Sequence, residues 1–319
     1  MPFASAISSY ALLSRQILVR SLHLMPQGRG VTEVPANRSP TVRRRELGAL
    51  LRALRTERGW TAEEVAERLL VSPSKISRQE TGQRGVSQRD IRALCDLYGV
   101  EDEQRQRLFD LANEGKQRAW WQSAELPYGT YLGLEAEAAS ICDYGLGVVP
   151  GLLQTRDYAR AIVRAAVPKW VPEIVDQRVQ GRLDRQERIL TSPGAPQFEA
   201  VVDESVLHRV VGSPAIMREQ LERLLDLSGH PSVNLGVIPY SAGALPSGNN
   251  KFILLRFTSP NVADVVFIEG LTGDLYLEDP ADVEVYTATF RALSDLAMGP
   301  GKTHDLISRM ITHYQAQPR

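Results

Sequence analysis

The chain has 319 residues, 43% hydrophobic and 24% charged, with a formal net charge of −1. That length predicts two domains, and the composition is that of a globular chain able to bury a core. No apolar run approaches the ~20 residues that a membrane-spanning helix needs. The two cysteines, Cys95 and Cys142, lie far apart without metal-ligand spacing. They read as buried thiols of a reducing, cytoplasmic compartment.

Residues 1–40 carry four arginines against the single acid Glu33 and end in a Pro/Gly-punctuated run. They read as a disordered extension, or as an upstream addition to a chain starting near Met25 or Val31. The apolar stretch from Tyr10 to Leu24 is broken by Arg15 and Arg20, unlike a secretory core. Residues 41–93 hold twelve Arg/Lys against seven acids, so the remainder of the chain beyond them is acidic. A basic module joined to an acidic one suits a polyanion-binding domain with a separate sensing or partner domain.

From Thr41 the pattern is helical. Leu47, Leu50, Leu51 and Leu54 share one face, and Gly59 is placed to end that helix. Thr61 with Glu64 forms a capping-box signature, followed by the apolar positions Val65, Ala66 and Leu69. Ser72-Pro73 opens a third helix that contains Ile76 and stops at Thr81-Gly82. A fourth helix is predicted over Ser87–Tyr98 and a fifth over Asp102–Asn113. Beyond Trp120-Trp121, helices are expected near 131–144, 155–166, 172–190, 214–228, 280–297 and 303–315. Strands are expected at Phe198–Asp203, Val233–Pro239, Phe252–Phe257 and Val265–Glu269. The predicted fold is a mostly α N-terminal helix-turn-helix domain over 41–115, followed by an α+β domain with a small sheet over 120–319.

Two short helices joined by a tight turn, the second opening on Ser-Pro-Ser, form the geometry that lays a helix in the major groove. The recognition helix spans Pro73 to Thr81, with Ile76 inward and Gln79 and Glu80 facing the first helix or the domain surface. Ser74, Lys75 and Arg78 lie on its outward side, where Lys and Arg reach guanine acceptors. Thr61, Ser72, Gln83 and Arg84 sit at helix ends or in the following loop, where phosphates are met. This stretch resembles the lambda-repressor/Cro-like, Xre-type family. The resemblance implies a structural ion pair between Arg55 and Glu80; Ala62 departs from the family's glutamine at that position.

The second half carries VVPGLLQTRDYAR (148–160), RLDRQER (182–188), VDESVL (202–207), MREQLERLL (217–225), VIPYSAG (237–243), FILLRF (252–257) and VVFIEGLTGDLYL (265–277). Together with the first domain, these stretches resemble helix-turn-helix regulators of WhiJ-like or Scr type, antitoxin-like proteins of Streptomyces and related actinobacteria. The resemblance implies a transcription factor often encoded beside a small partner protein. From the residues alone, Gln154, Thr155, Arg156 and Tyr158 open a helix and offer polar groups to a pocket. Asp203-Glu204 reads as a solvated strand end or a functional carboxylate pair. The arginines Arg182, Arg185 and Arg188 alternate with Asp184 and Glu187, as i,i+3 and i,i+4 ion pairs would. Trp120, Trp121, Tyr128 and Tyr131 form either an interdomain seam or an aromatic ligand wall.

Nothing in the sequence matches a GxSxG elbow, an HExxH helix, a phosphate loop or a GxGxxG turn. The five histidines have no paired spacing for a metal. No enzyme activity, cofactor or metal is expected. The expected function is a cytoplasmic, dimeric, sequence-specific transcription regulator of double-stranded DNA, its C-terminal domain receiving a small molecule or a small protein encoded nearby. The alternative is an antitoxin-like interaction protein that chiefly binds that small partner and regulates its own synthesis.

Overall fold

The computed structural model describes residues 39–117, 128–166, 171–191, 194–248, 250–270 and 273–317, with the side chain of residue 189 left aside. The predicted extension therefore lies outside the described residues except for Ser39 and Pro40, and both of these are buried. Trp120 and Trp121 also lie outside them.

Five helices come first: α1 (Pro40–Glu57), α2 (Ala62–Arg68), α3 (Pro73–Glu80), α4 (Gln88–Tyr98) and α5 (Asp102–Glu114). Their starts follow from local chemistry. Thr61 and Glu64 complete a reciprocal capping box, and Ser72 and Ser87 accept the backbone N–H of Lys75 and Asp90. Their ends use a common device. After α1 and α4, Gly59 and Gly99 take left-handed φ values of 70° and 59°. The following N–H then reaches back to the carbonyls of Arg55 and Cys95. Leu47, Leu51, Leu54, Val65, Ile76, Ile91, Leu94 and Leu108 close the core of this bundle.

The remaining elements are α6 (Gly129–Glu135), β1 (Ser140–Gly145), α7 (Arg156–Ala166), α8 (Pro172–Thr191), β2 (Gln197–Asp203), α9 (Ser205–His208), α10 (Pro214–Ser228), β3 (Val233–Ile238), β4 (Phe252–Arg256), β5 (Val265–Ile268), β6 (Leu275–Leu277), α11 (Pro280–Leu296) and α12 (Pro300–Gln315). The six strands form one mixed sheet in the order β3-β2-β1-β4-β5-β6. Strands β1, β2 and β3 pair in parallel, while β4, β5 and β6 add antiparallel. Alternation along the strands sends Ile141, Phe198, Leu235 and Leu255 to a large core with α10 and α12. Cys142, Val201, Leu254 and Val266 point to the other face, covered by Phe290 and Leu293 of α11.

The predicted fold class holds: a helical N-terminal region is followed by an α+β region built on this sheet. The helix expected over 131–144 does not run its length. It stops at Glu135, and Ser140–Gly145 becomes the strand hydrogen-bonded on both sides by β2 and β4. The Glu/Ala-rich approach favours helix locally, but two long-range pairings outweigh that preference. Strand β6, three residues long, had no sequence signal.

Helix α1 belongs to both regions. Its first turn places Val42 in the large core of the sheet, while Leu47 to Leu54 fill the core of the bundle. Residues Arg38–Arg319 form one compact unit.

Candidate nucleic-acid interface and an internal cavity

Helix α3, the expected recognition helix, is fixed from beneath. Arg55 Nε and Nη2 donate to both oxygens of Glu80, at 2.6 and 2.8 Å. Only 14% and 7% of the two side chains is exposed. Arg55 Nη1 also donates to the carbonyl of Trp60 at 2.6 Å, so one guanidinium ties α1, α3 and the turn between helices. The hydrogen bond from Glu80 raises the Arg55 pKa above its ordinary value, against the opposing effect of burial. Gly48 lets α1 and α3 touch backbone to backbone. A Cβ there would lie 2.4 Å from the Glu80 carbonyl oxygen and 2.7 Å from that of Gln79.

Above this support, Thr61, Ser72, Ser74, Arg78, Gln83 and Arg84 are all exposed. Arg78 folds toward the helix N-terminus, its Nε donating to the Ser74 carbonyl at 3.1 Å. Ser72 and Ser74 hydroxyls lie 3.2 Å apart. Lys75 differs from the expected outward residue. It is only partly exposed, and its Nζ donates to Asp90 Oδ1 at 2.7 Å. Asp90 also accepts from Gln79, which is why that glutamine is buried. Burial acts to raise the Asp90 pKa, but bonds from Lys75, Ser87 and Gln79 together hold it below the carboxylate range.

The basic surplus of this region is partly spent inside the molecule. Arg43 pairs with Glu46, Glu114 and Glu137, and Arg45 with Glu278. Arg68 lies over the Trp60 ring, 4.0 Å from its centre. Arg52, Arg78, Arg84, Arg89 and Arg92 remain exposed.

The second site is a cavity of about 200 Å3 on the α6/α8 side of the sheet. One wall is the segment 146–154, whose shape is set by side-chain amides. Gln154 donates to the Val149 carbonyl at 2.6 Å, and Gln186 donates to the carbonyls of Gly151 and Gln154, both at 2.9 Å. Gln220 accepts the Thr155 N–H and donates to the Leu153 carbonyl, and Tyr158 receives the Val149 N–H. Of the four residues expected to offer polar groups, Gln154 lines the cavity; Tyr158 is buried behind it and Arg156 points to Gln180.

Charges converge on this space. Arg185 and Glu135 form a bidentate pair at 2.7 and 2.5 Å, with the Tyr131 hydroxyl donating to Glu135 at 2.7 Å. Arg182 bonds to the Gln154 side-chain oxygen and, among the described residues, has no carboxylate in ion-pair range. Burial, with Arg185 nearby, lowers its pKa to about 10. Burial also pushes the Asp143 carboxyl up to about 7, against the opposing charge of Lys251. Lys251 itself is bound to Glu269 at 2.5 Å. The expected i,i+3 and i,i+4 pairing within 182–188 therefore does not describe Arg182 and Arg185, which reach across to other elements. Tyr128 and Tyr131, expected at an interdomain seam or in an aromatic ligand wall, both line the cavity. Asp203 accepts the Ser205 N–H and Glu204 the Tyr240 N–H, so both carboxylates are used locally. Asp143, Lys251 and Glu269 had no sequence signal, because only the sheet brings them together.

Residues 46–108 match the family model described as a helix-turn-helix domain. Residues 128–309, more than half of the chain, match that described as a domain of unknown function, DUF5753. No curated protein and no solved structure matches. Among the described residues, no helix is long and apolar enough to cross a membrane.

Proposed function

Because the chain belongs to the DUF5753 family and carries a helix-turn-helix domain ahead of that region, we infer that it is a sequence-specific, DNA-binding transcription regulator. The observation that carries this is the exposed row Ser72, Ser74 and Arg78 on a recognition helix whose opposite side is held by Arg55–Glu80. Ser74 and Arg78 read base edges, while Thr61, Ser72, Gln83 and Arg84 meet phosphates. Lys75 joins them when it exchanges Asp90 for the groove. The finer assignment is an Xre-type, WhiJ-like regulator that works in the cytoplasm, without catalysis, as a dimer on two half-sites a helical turn apart. Its DUF5753 region receives the signal.

Selection from a random duplex pool with the full chain tests this. A recovered consensus, bound with an affinity that falls steeply with salt, is the expected result. Enrichment of no sequence, or no retention of duplex at low salt, overturns it.

A further inference from the structure

The cavity beneath β1 holds an electrostatic imbalance. Of its three lining cations, Arg185 is neutralised by Glu135 and Lys251 by Glu269, which leaves Arg182 without a carboxylate among the described residues. A desolvated cation needs a counter-charge; Arg182 bonds directly to the neutral oxygen of Gln154, and the one lining carboxylate that acts on it, Glu269, is bound to Lys251 and lies outside ion-pair range of Arg182. A second lining carboxyl, that of Asp143, is 7% exposed. Among the described residues it makes no side-chain hydrogen bond. The charged groups around it are Lys251, Glu135, Arg185 and Glu269. Burial pushes its carboxyl up to about 7, so below neutrality it keeps its proton and can donate a hydrogen bond.

Beside segment 146–154, the lining carries the aromatic rings of Tyr128, Tyr131, Tyr144, Phe252 and Phe267. The volume sets the size of the group that it encloses. An apolar cavity of about 150 Å3 holds benzene, so about 200 Å3 takes one ring with a short substituent.

We propose that this cavity is a ligand site for a small organic acid, one aromatic ring bearing one carboxylate, with the carboxylate on Arg182 and the ring against Tyr131 and Phe267. Its occupancy is felt at the DNA-binding region through α6. Tyr131 and Glu135 on one side of α6 belong to the cavity and its ion pair. The other side of α6 meets α1, where a Cβ on Gly133 would lie 2.4 Å from Thr41 Oγ1 and 2.6 Å from Thr41 Cβ. Just past α6, Glu137 accepts from the Ser39 N–H and from Arg43 Nη2. Helix α1 carries this contact, over about 20 Å, to the Arg55–Glu80 pair under the recognition helix. This second part rests on the DNA-binding function inferred above, and the first does not.

Titration calorimetry of the full chain with benzoate, benzamide and benzylamine tests the site. Benzoate should bind at one site, with benzamide and benzylamine at least about tenfold weaker, as loss of a charged hydrogen bond implies. Arg182→Gln should lose the same factor, and Arg182→Lys should keep part of it. Val148→Trp, which fills the cavity from a partly exposed position and leaves Arg182 intact, should abolish binding. Absence of benzoate binding, equal affinity for benzamide, preference for benzylamine, or an unchanged Arg182→Gln overturns the site. Benzoate should also shift affinity for the selected duplex by about fivefold or more; binding with no such shift overturns the coupling alone. A chain that binds benzoate but no DNA overturns the DNA-binding function while the site stands.

Discussion

Leu70 sits at the turn between α2 and α3 with φ 53° and a side chain 93% exposed. Its N–H bonds to the Glu67 carbonyl and that of Val71 to the Ala66 carbonyl. Gly59 and Gly99 perform this same left-handed step elsewhere in the bundle. A leucine pays a steric cost there that its exposed side chain does not recover by packing. Leu70→Gly should therefore raise stability by about 1 kcal/mol, measured as a rise in the urea midpoint with an unchanged slope. Glu80 lies at the opposite extreme. Glu80→Ala leaves the largely buried Arg55 side chain without its carboxylate and should cost about 3–5 kcal/mol. Replacing both partners by apolar residues of similar volume should recover most of that loss in the same denaturation experiment. An additive double variant would mean that the two side chains do not act as a pair.

At the scale of elements, backbone contact joins the helices that matter. Gly48→Ala forces α1 from α3 at the Glu80 carbonyl and should cost about 1–3 kcal/mol. Thermal unfolding would register this as a lowered midpoint. The bundle was legible in the sequence because each helix carries its own start and stop: Thr61-Glu64, Ser72-Pro73, Gly59 and Gly99 act within a turn of themselves. Strand β1 was not legible, since Ser140–Gly145 becomes a strand only when β2 and β4 arrive from more than fifty and a hundred residues away. The same distance rule divides the sites. Ser74 and Arg78 can be placed on one face from spacing alone, whereas Asp90 claiming Lys75 from the next helix cannot. Arg182 and Arg185 looked like parts of a helical charge ladder because their partners, Gln154 and Glu135, lie on other elements.

For the whole molecule, the cavity sets a pH dependence. The Asp143 carboxyl is pushed from an ordinary 3.8 to about 7 in the folded chain. The native state thus holds a proton that the unfolded state has released between those values, and stability falls as pH rises through that window. Asp143→Asn should flatten this slope and make the chain more stable than the original at pH 8, by on the order of a few kcal/mol. Urea denaturation across that range would show it, and a variant with the original slope would assign the effect to another group. The acidic residues of the C-terminal region also act on the basic one: Glu137 and Glu278 occupy Arg43 and Arg45. The charge that faces DNA is therefore smaller than the count over residues 41–93 suggests.

The assignment of the DNA-reading face rests on Arg78. Equilibrium binding of the full chain and its Arg78→Ala variant to the selected duplex, and to duplexes changed at single base pairs, tests it directly. Arg78→Ala should cost about 1–3 kcal/mol on the selected site and lose preference at one base pair, while Arg84→Ala weakens all duplexes alike and lowers the salt slope by about one. An Arg78→Ala chain that discriminates every base pair as the original does would contradict the account.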